Sequence, residues 1–280
     1  RLKSMSWVTE NLQNALDTWN EKLGEIWQLL MQSPETFRGG SIWTAILDIH
    51  DMLQAIGYAL LILFFLAGVM KTCGSLSELK RPEQAVRLFI RFILAKGAMT
   101  YGTEILVGIL SVIQGIMGDI MESTGVGQAS GLILPQEIVD AIEEVGFLES
   151  IPLWFVTLLG GLVVTVISFL LILTVYGRFF KVYLYMAIAP LPIAAFAGEP
   201  TQNIGKSYLR SFIGVGMEGV IILLSCMIYS IFAASPPTVD VTAGAIPMIW
   251  SYIGELIFNM LVLVGTVKVA DHLTKDMLGL

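Results

Sequence analysis

Three glutamates, Glu104, Glu218 and Glu255, stand inside long uncharged apolar runs. A carboxylate in such a place bonds across helices, lines a water-filled path or passes protons, because hydrocarbon cannot solvate it. A proton pump would need a dense row of such groups, so the three are candidates for conduit-lining or bundle-interior positions. Other chemistry-bearing residues are sparse. His50 and His272, the two histidines, share no ligand spacing and read as polar helix-end residues. Cys73 and Cys226 fall at the end of one apolar run and the middle of another, which makes neither a disulfide framework nor a metal site, so both read as packing residues. GVGMEG, with Gly214, Gly216 and Gly219, matches the dinucleotide fingerprint by letter. It opens an apolar span instead of following a strand, and small residues that let helices approach are the better account. Gly205, Lys206 and Ser207 look like the end of a phosphate-binding loop, yet Pro200 occupies the position where that loop needs its first glycine. No catalytic residue, metal site or cofactor is expected, and the chain does not read as an enzyme.

The elements that must position these residues follow from composition. The 280 residues are 55% hydrophobic and 14% charged, where soluble domains carry about 25% charged residues. That balance predicts an all-α integral membrane protein. Uncharged runs near the length of one bilayer crossing predict five spans: Leu53–Met70, 97–117 interrupted by Glu104, Ile151–Tyr176, 211–234 with Glu218, and 249–267 with Glu255. Lys71, Lys80, Arg81, Arg87, Arg91 and Lys96 lie between the first two spans, whereas residues 119–149 carry seven acids and no base. Since lysine and arginine mark cytoplasmic loops, the N-terminus is expected outside and the C-terminus in the cytoplasm. Trp43, Trp154 and Trp250 then fall at the outer ends of spans, where indoles favour the interface.

Two segments depart from simple spans. Residues 179–205 contain APLPIA, where Pro190 and Pro192 withdraw two amide donors and stop a straight helix. Arg178 and Lys181 before it and Lys206 and Arg210 after it are expected on the same cytoplasmic face, which makes the segment a re-entrant hairpin or an interfacial elbow. These four cations are candidate contacts for phosphate backbone or for anionic lipid headgroups. The N-terminal segment is amphipathic, with Val8, Leu12, Ala15, Leu16, Trp19, Leu23, Ile26, Trp27 and Leu30 recurring at three- and four-residue steps. It is too polar to span, and is expected either to dock on the outer leaflet or to pack on another subunit. The organisation is thus an extracytoplasmic helix and loop over residues 1–40, then a polytopic domain over 41–280. The latter's outer loop, 119–150, holds a short helix, PQEIVDAIEEVG.

The stretch YMAIAPLPIAAFAGEPTQNIGKSYLRSFIGVGMEGVIILL resembles the TrbL-like conjugal-transfer membrane proteins. These are the polytopic inner-membrane subunits equivalent to the sixth VirB component of type IV secretion systems. The likeness rests on the APLPIA turn, the polar loop after it and the glycine-rich next span, and extends over residues 156–267. It implies a homo-oligomeric channel or scaffold subunit in the bacterial inner membrane, working with other secretion subunits and separate ATPases to move single-stranded DNA and bound protein. The alternative is a secondary transporter of a small solute, whose site would be built around the broken helix.

Overall fold

The computed structural model describes residues 2–72, 82–124, 132–145, 147–233 and 244–280. Among these residues there are helices and no strand: α1 (Leu2–Met31), α2 (Ser41–Thr72), α3 (Pro82–Thr100), α4 (Gly102–Thr124), α5 (Gln136–Glu144), α6 (Phe147–Ile188), α7 (Pro190–Ala194), α8 (Gln202–Phe232) and α9 (Ala245–Leu278). Among the described residues, five stretches are long and apolar enough to cross a membrane, namely Phe37–Lys71, Gly102–Ser123, Ile151–Ile188, Gln202–Phe232 and Ile246–Leu278. The chain is an all-α integral membrane protein, as its composition predicts. Cys73 lies outside the described residues.

Every span differs in its bounds from the sequence reading, and two of the differences have a clear physical cause. The second span begins at Gly102 because a turn at Tyr101 separates α4 from α3. The third does not stop at Tyr176. α6 runs on through Arg178 and Lys181 to Ile188, 42 residues in all, a length of about 63 Å at 1.5 Å per residue. Charge alone marked an end in the sequence; here partners from other helices let the helix continue through it.

The chain divides into two compact units. The first comprises Arg1–Met31, Gly118–Tyr176 and Ile221–Ala270. Its centre is the apolar stripe of α1, where Val8, Leu16, Trp19, Ile26 and Leu30 are fully buried. Neither lipid docking nor packing on another subunit describes this helix, because its stripe is covered by its own chain. Ala15 sits against Gly161 of α6, and Trp19 meets Tyr229 of α8 edge-on with ring centroids 5.8 Å apart. Asn20 donates from Nδ2 to the Leu132 carbonyl and accepts from the Leu132 amide, both at 2.9 Å. On the polar side, a 2.8 Å contact with Glu25 raises the Lys22 ammonium above its ordinary pKa, the hydrogen bond outweighing desolvation. α5 buries Ile138 and Ile142.

The second unit comprises Gln32–Met117, Gly177–Val220 and Asp271–Leu280. It holds the proline turn, and its architecture is a solution to that turn's backbone. Pro190 and Pro192 have no N–H to offer the carbonyls of Met186 and Ile188 four residues earlier. His50 of α2 supplies one missing donor, with Nδ1 2.8 Å from the Met186 carbonyl. A carbonyl only accepts, so the proton lies on Nδ1; in the neutral ring, Thr103 Oγ1 then donates to Nε2 at 3.2 Å. Tyr208 of α8 donates to the Tyr185 carbonyl at 2.8 Å. Beyond the turn, Thr201 Oγ1 donates to the Ala195 carbonyl at 2.8 Å.

His50 is therefore an interhelical residue, 1% exposed in the interior of α2, and not the helix-end residue its isolation suggested. The turn itself is packed hard, with Pro190, Ile193 and Ala194 buried. Close approach needs glycine on both sides. A Cβ at Gly57 would stand 3.0 Å from Pro190, and one at Gly198 would stand 2.5 Å from the Phe64 carbonyl oxygen.

His50→Leu should cost about 1–3 kcal/mol, because it leaves the buried Met186 carbonyl with only a long 3.4 Å contact from the Ala189 amide. His50→Gln, which keeps a donor, should cost less. Thermal unfolding of the detergent-solubilised protein measures both, and equal midpoints for wild type and His50→Leu would remove the capping role.

Candidate functional site: a charged cluster inside the candidate spans

Charge meets charge where α6, α8 and α9 come together in the second unit. Lys181 Nζ lies 3.1 Å from both carboxylate oxygens of Glu218 on α8 and 3.0 Å from Oδ1 of Asp271 on α9. The other oxygen of Asp271, Oδ2, accepts from Lys275 one turn later, at 2.7 Å. Glu218 is the innermost member, its side chain 3% exposed, while those of Lys181 and Asp271 are 39% and 34% exposed.

One turn before Lys181, Arg178 is 4% exposed. Its guanidinium carbon lies 5.9 Å from the ring centroid of its neighbour Phe179, and it is attracted by the charge of Glu218. Nε has no hydrogen-bond partner among the described residues. Gly219 makes the room, because a Cβ there would overlap the guanidinium. Two carboxylates thus pair with two lysines and attract a third cation, Arg178, all within candidate spans.

The arrangement explains the glycine-rich motif as packing. A Cβ at Gly216 would overlap Ile113 of α4, one at Gly214 would stand 3.2 Å from Leu278, and one at Gly205 would stand 2.7 Å from the Phe196 ring. Cys226 is a buried free thiol.

The cations flanking the proline turn therefore do not form one group. Arg178 is buried and Lys181 is held between two carboxylates, so neither presents a free charge to a phosphate backbone or a headgroup. Lys206 and Arg210 are exposed on α8. Of the intramembrane acids, Glu218 is inside the cluster. Glu255 is half-buried on α9, and Glu104 is exposed in the first turn of α4. The sequence reading missed Asp271 and Lys275. Their four-residue spacing is a helix-surface pair signal, but nothing local links them to Lys181, 90 residues earlier.

The family described as TrbL/VirB6 plasmid conjugal transfer like protein matches residues 19–190. The chain belongs to this family. The match runs from α1 to the proline turn and overlaps, over residues 156–190, the 156–267 stretch that carries the sequence resemblance. No curated protein and no solved structure matches the chain. As a TrbL/VirB6-family protein it is a membrane-embedded component of a multi-subunit conjugal transfer, or type IV secretion, system.

Removing one partner from a buried ion pair strands the other charge. Glu218→Gln should cost about 2–4 kcal/mol, below the full buried-pair penalty because Lys181 is partly exposed. Asp271→Asn should cost less, since Asp271 is more exposed and Glu218 still holds Lys181. Unfolding midpoints in detergent give the order; the reverse order would show that Glu218 is not the anchor.

Proposed function

We propose that the chain is a channel-forming subunit of a conjugative type IV secretion apparatus, several copies of which enclose a path for single-stranded DNA and bound protein across the bacterial inner membrane. It carries out no covalent chemistry, and separate ATPases supply the energy. The observation that carries the reading is on α4. Glu104 is exposed within a candidate span and makes no hydrogen bond or ion pair with the described residues. Gly108, Ser111 and Gly115 follow at four- and three-residue steps and are exposed on the same face, with open space around both glycines. A carboxylate in a membrane needs water or a partner, and small residues let another helix approach closely. One chain offers neither at this face; a second copy bordering an aqueous path offers both. Lys206 and Arg210, exposed on α8, are the cations left to attract a phosphate backbone through sequence-independent charge.

In membranes, Ser111→Cys in an otherwise cysteine-free chain should form a disulfide-linked dimer. Gly108→Leu with Gly115→Leu should lower conjugal transfer at least about tenfold, an effect of roughly 1.4 kcal/mol, at unchanged membrane abundance. Normal transfer by this double variant together with no cross-link would remove the reading.

The orientation proposed is N-terminus outside and C-terminus cytoplasmic, from the alternation of basic and acidic loops. A cysteine at Glu143, exposed on α5, should react with an impermeant thiol reagent in intact cells, and one at Met277, exposed near the end of α9, should react only after lysis. The opposite pattern would invert the topology.

A further inference from the structure

In the second unit a cleft of about 450 Å³ runs between α3, the start of α4, the turn after α7 and the start of α8. That volume lies within the roughly 300–1,000 Å³ typical of ligand clefts. Its walls are apolar, formed by residues such as Ile90, Leu94, Ala98, Ile105, Phe196 and Leu209. Against this wall stand two guanidiniums, Arg87 and Arg91, one turn apart on α3 and both lining the cleft.

Arg87 is exposed and has no ion-pair partner among the described residues. Among the described residues Arg91 makes only a long contact, 3.8 Å, to Glu199, whose side chain is 55% exposed. Of the remaining polar side chains lining the cleft, Tyr208 is already committed to the Tyr185 carbonyl, which leaves Gln202 as a neutral hydrogen-bonding group. On the side of α3 turned away from the cleft, Phe89 and Ile93 are exposed at 63% and 51%.

We propose that this cleft binds one anionic phospholipid, its acyl chain along the apolar wall and its phosphate on Arg87 and Arg91. The argument is charge complementarity. A purely apolar occupant would leave Arg87 beside hydrocarbon without a counter-charge from the described residues and Arg91 with the distant Glu199 carboxylate alone, whereas a phosphate diester takes two charge-assisted contacts from cations spaced one helical turn apart. The phosphate takes over Arg91 from Glu199, an exposed carboxylate in a weak pair. The exposed apolar face of α3, basic along one edge, suits a helix lying at the headgroup and acyl boundary. The site is separate from the Lys181 cluster and from the α4 face, and does not depend on the channel reading.

The test uses the full chain purified in detergent and native mass spectrometry with added phosphatidylglycerol or phosphatidylcholine. Wild type should retain one phosphatidylglycerol about thirtyfold better than phosphatidylcholine, the preference expected of two basic side chains at a headgroup. Arg87→Gln with Arg91→Gln should bring the two lipids level, and Ala98→Trp, which fills the cleft, should abolish retention of both. Lys71→Gln with Lys96→Gln removes equal charge outside the cleft and should leave the preference intact.

Equal retention of the two lipids by wild type would overturn the proposal. So would displacement of phosphatidylglycerol by inorganic phosphate, or an equal effect of the lysine and arginine pairs. Should the cleft variants not fold, phosphatidylglycerol with a photoactivatable acyl chain serves with wild type. Label in the peptides holding Leu94 or Leu209 supports the site, and label only elsewhere overturns it.

Discussion

A lysine held between two carboxylates is the interaction on which the second unit depends. Taking an ion out of water costs several kcal/mol even after a protein relaxes around it, and only close, well-directed counter-charges offset that cost. Lys181 has three such oxygens within 3.1 Å, from two different helices. α6, α8 and α9 are therefore fixed in register at this level, since sliding any of them by one turn would strand a charge. The glycines of α8 belong to the same constraint. Gly219 makes room for Arg178, and Gly216 and Gly214 let α4 and the end of α9 approach. With Lys181 paired and Arg178 beside the Glu218 charge, α6 has no reason to end at Tyr176 and continues as helix to the prolines.

The prolines impose the second constraint, and it is met by the same principle applied to the backbone. Carbonyls that lose their intrahelical donors must find others, because neither a packed core nor lipid supplies them. His50 and Tyr208 reach the carbonyls of Met186 and Tyr185 from helices on either side of the turn in sequence. The turn thereby becomes a joint for α2, α6 and α8, and the small residues around it, Gly57 and Gly198, allow the contact distances that the joint requires.

Function follows from which polar groups remain after these constraints are met. Glu218, Lys181, Asp271 and His50 are spent on one another or on the backbone, so they hold the fold. Glu104 on α4, Lys206 and Arg210 on α8, and Arg87 on α3 are exposed, and these are the groups available to another chain, a lipid or a transported polyanion. A component of a multi-subunit conjugal transfer system needs both sets: a rigid interior and a surface whose polar groups are completed by partners.

The amino-acid sequence by itself determined the class, the number of candidate spans, the amphipathic character of α1 and the place where a long helix must break. These are properties of local composition, periodicity and proline chemistry, and each can be read within a window of a few turns. Tertiary structure decided the rest. Arg178 and Lys181 read locally as the end of a span, and only carboxylates 37 and 90 residues from Lys181 turned them into interior residues of α6. His50 read as an isolated polar residue until the carbonyl freed by Pro190, 136 residues away from it at Met186, gave it a partner. The stripe of α1 was legible, but what covers it was not, because an apolar face specifies that it must be buried and carries no information about against what. A charge or a carbonyl declares its need in the sequence, and only the fold supplies the group that meets it.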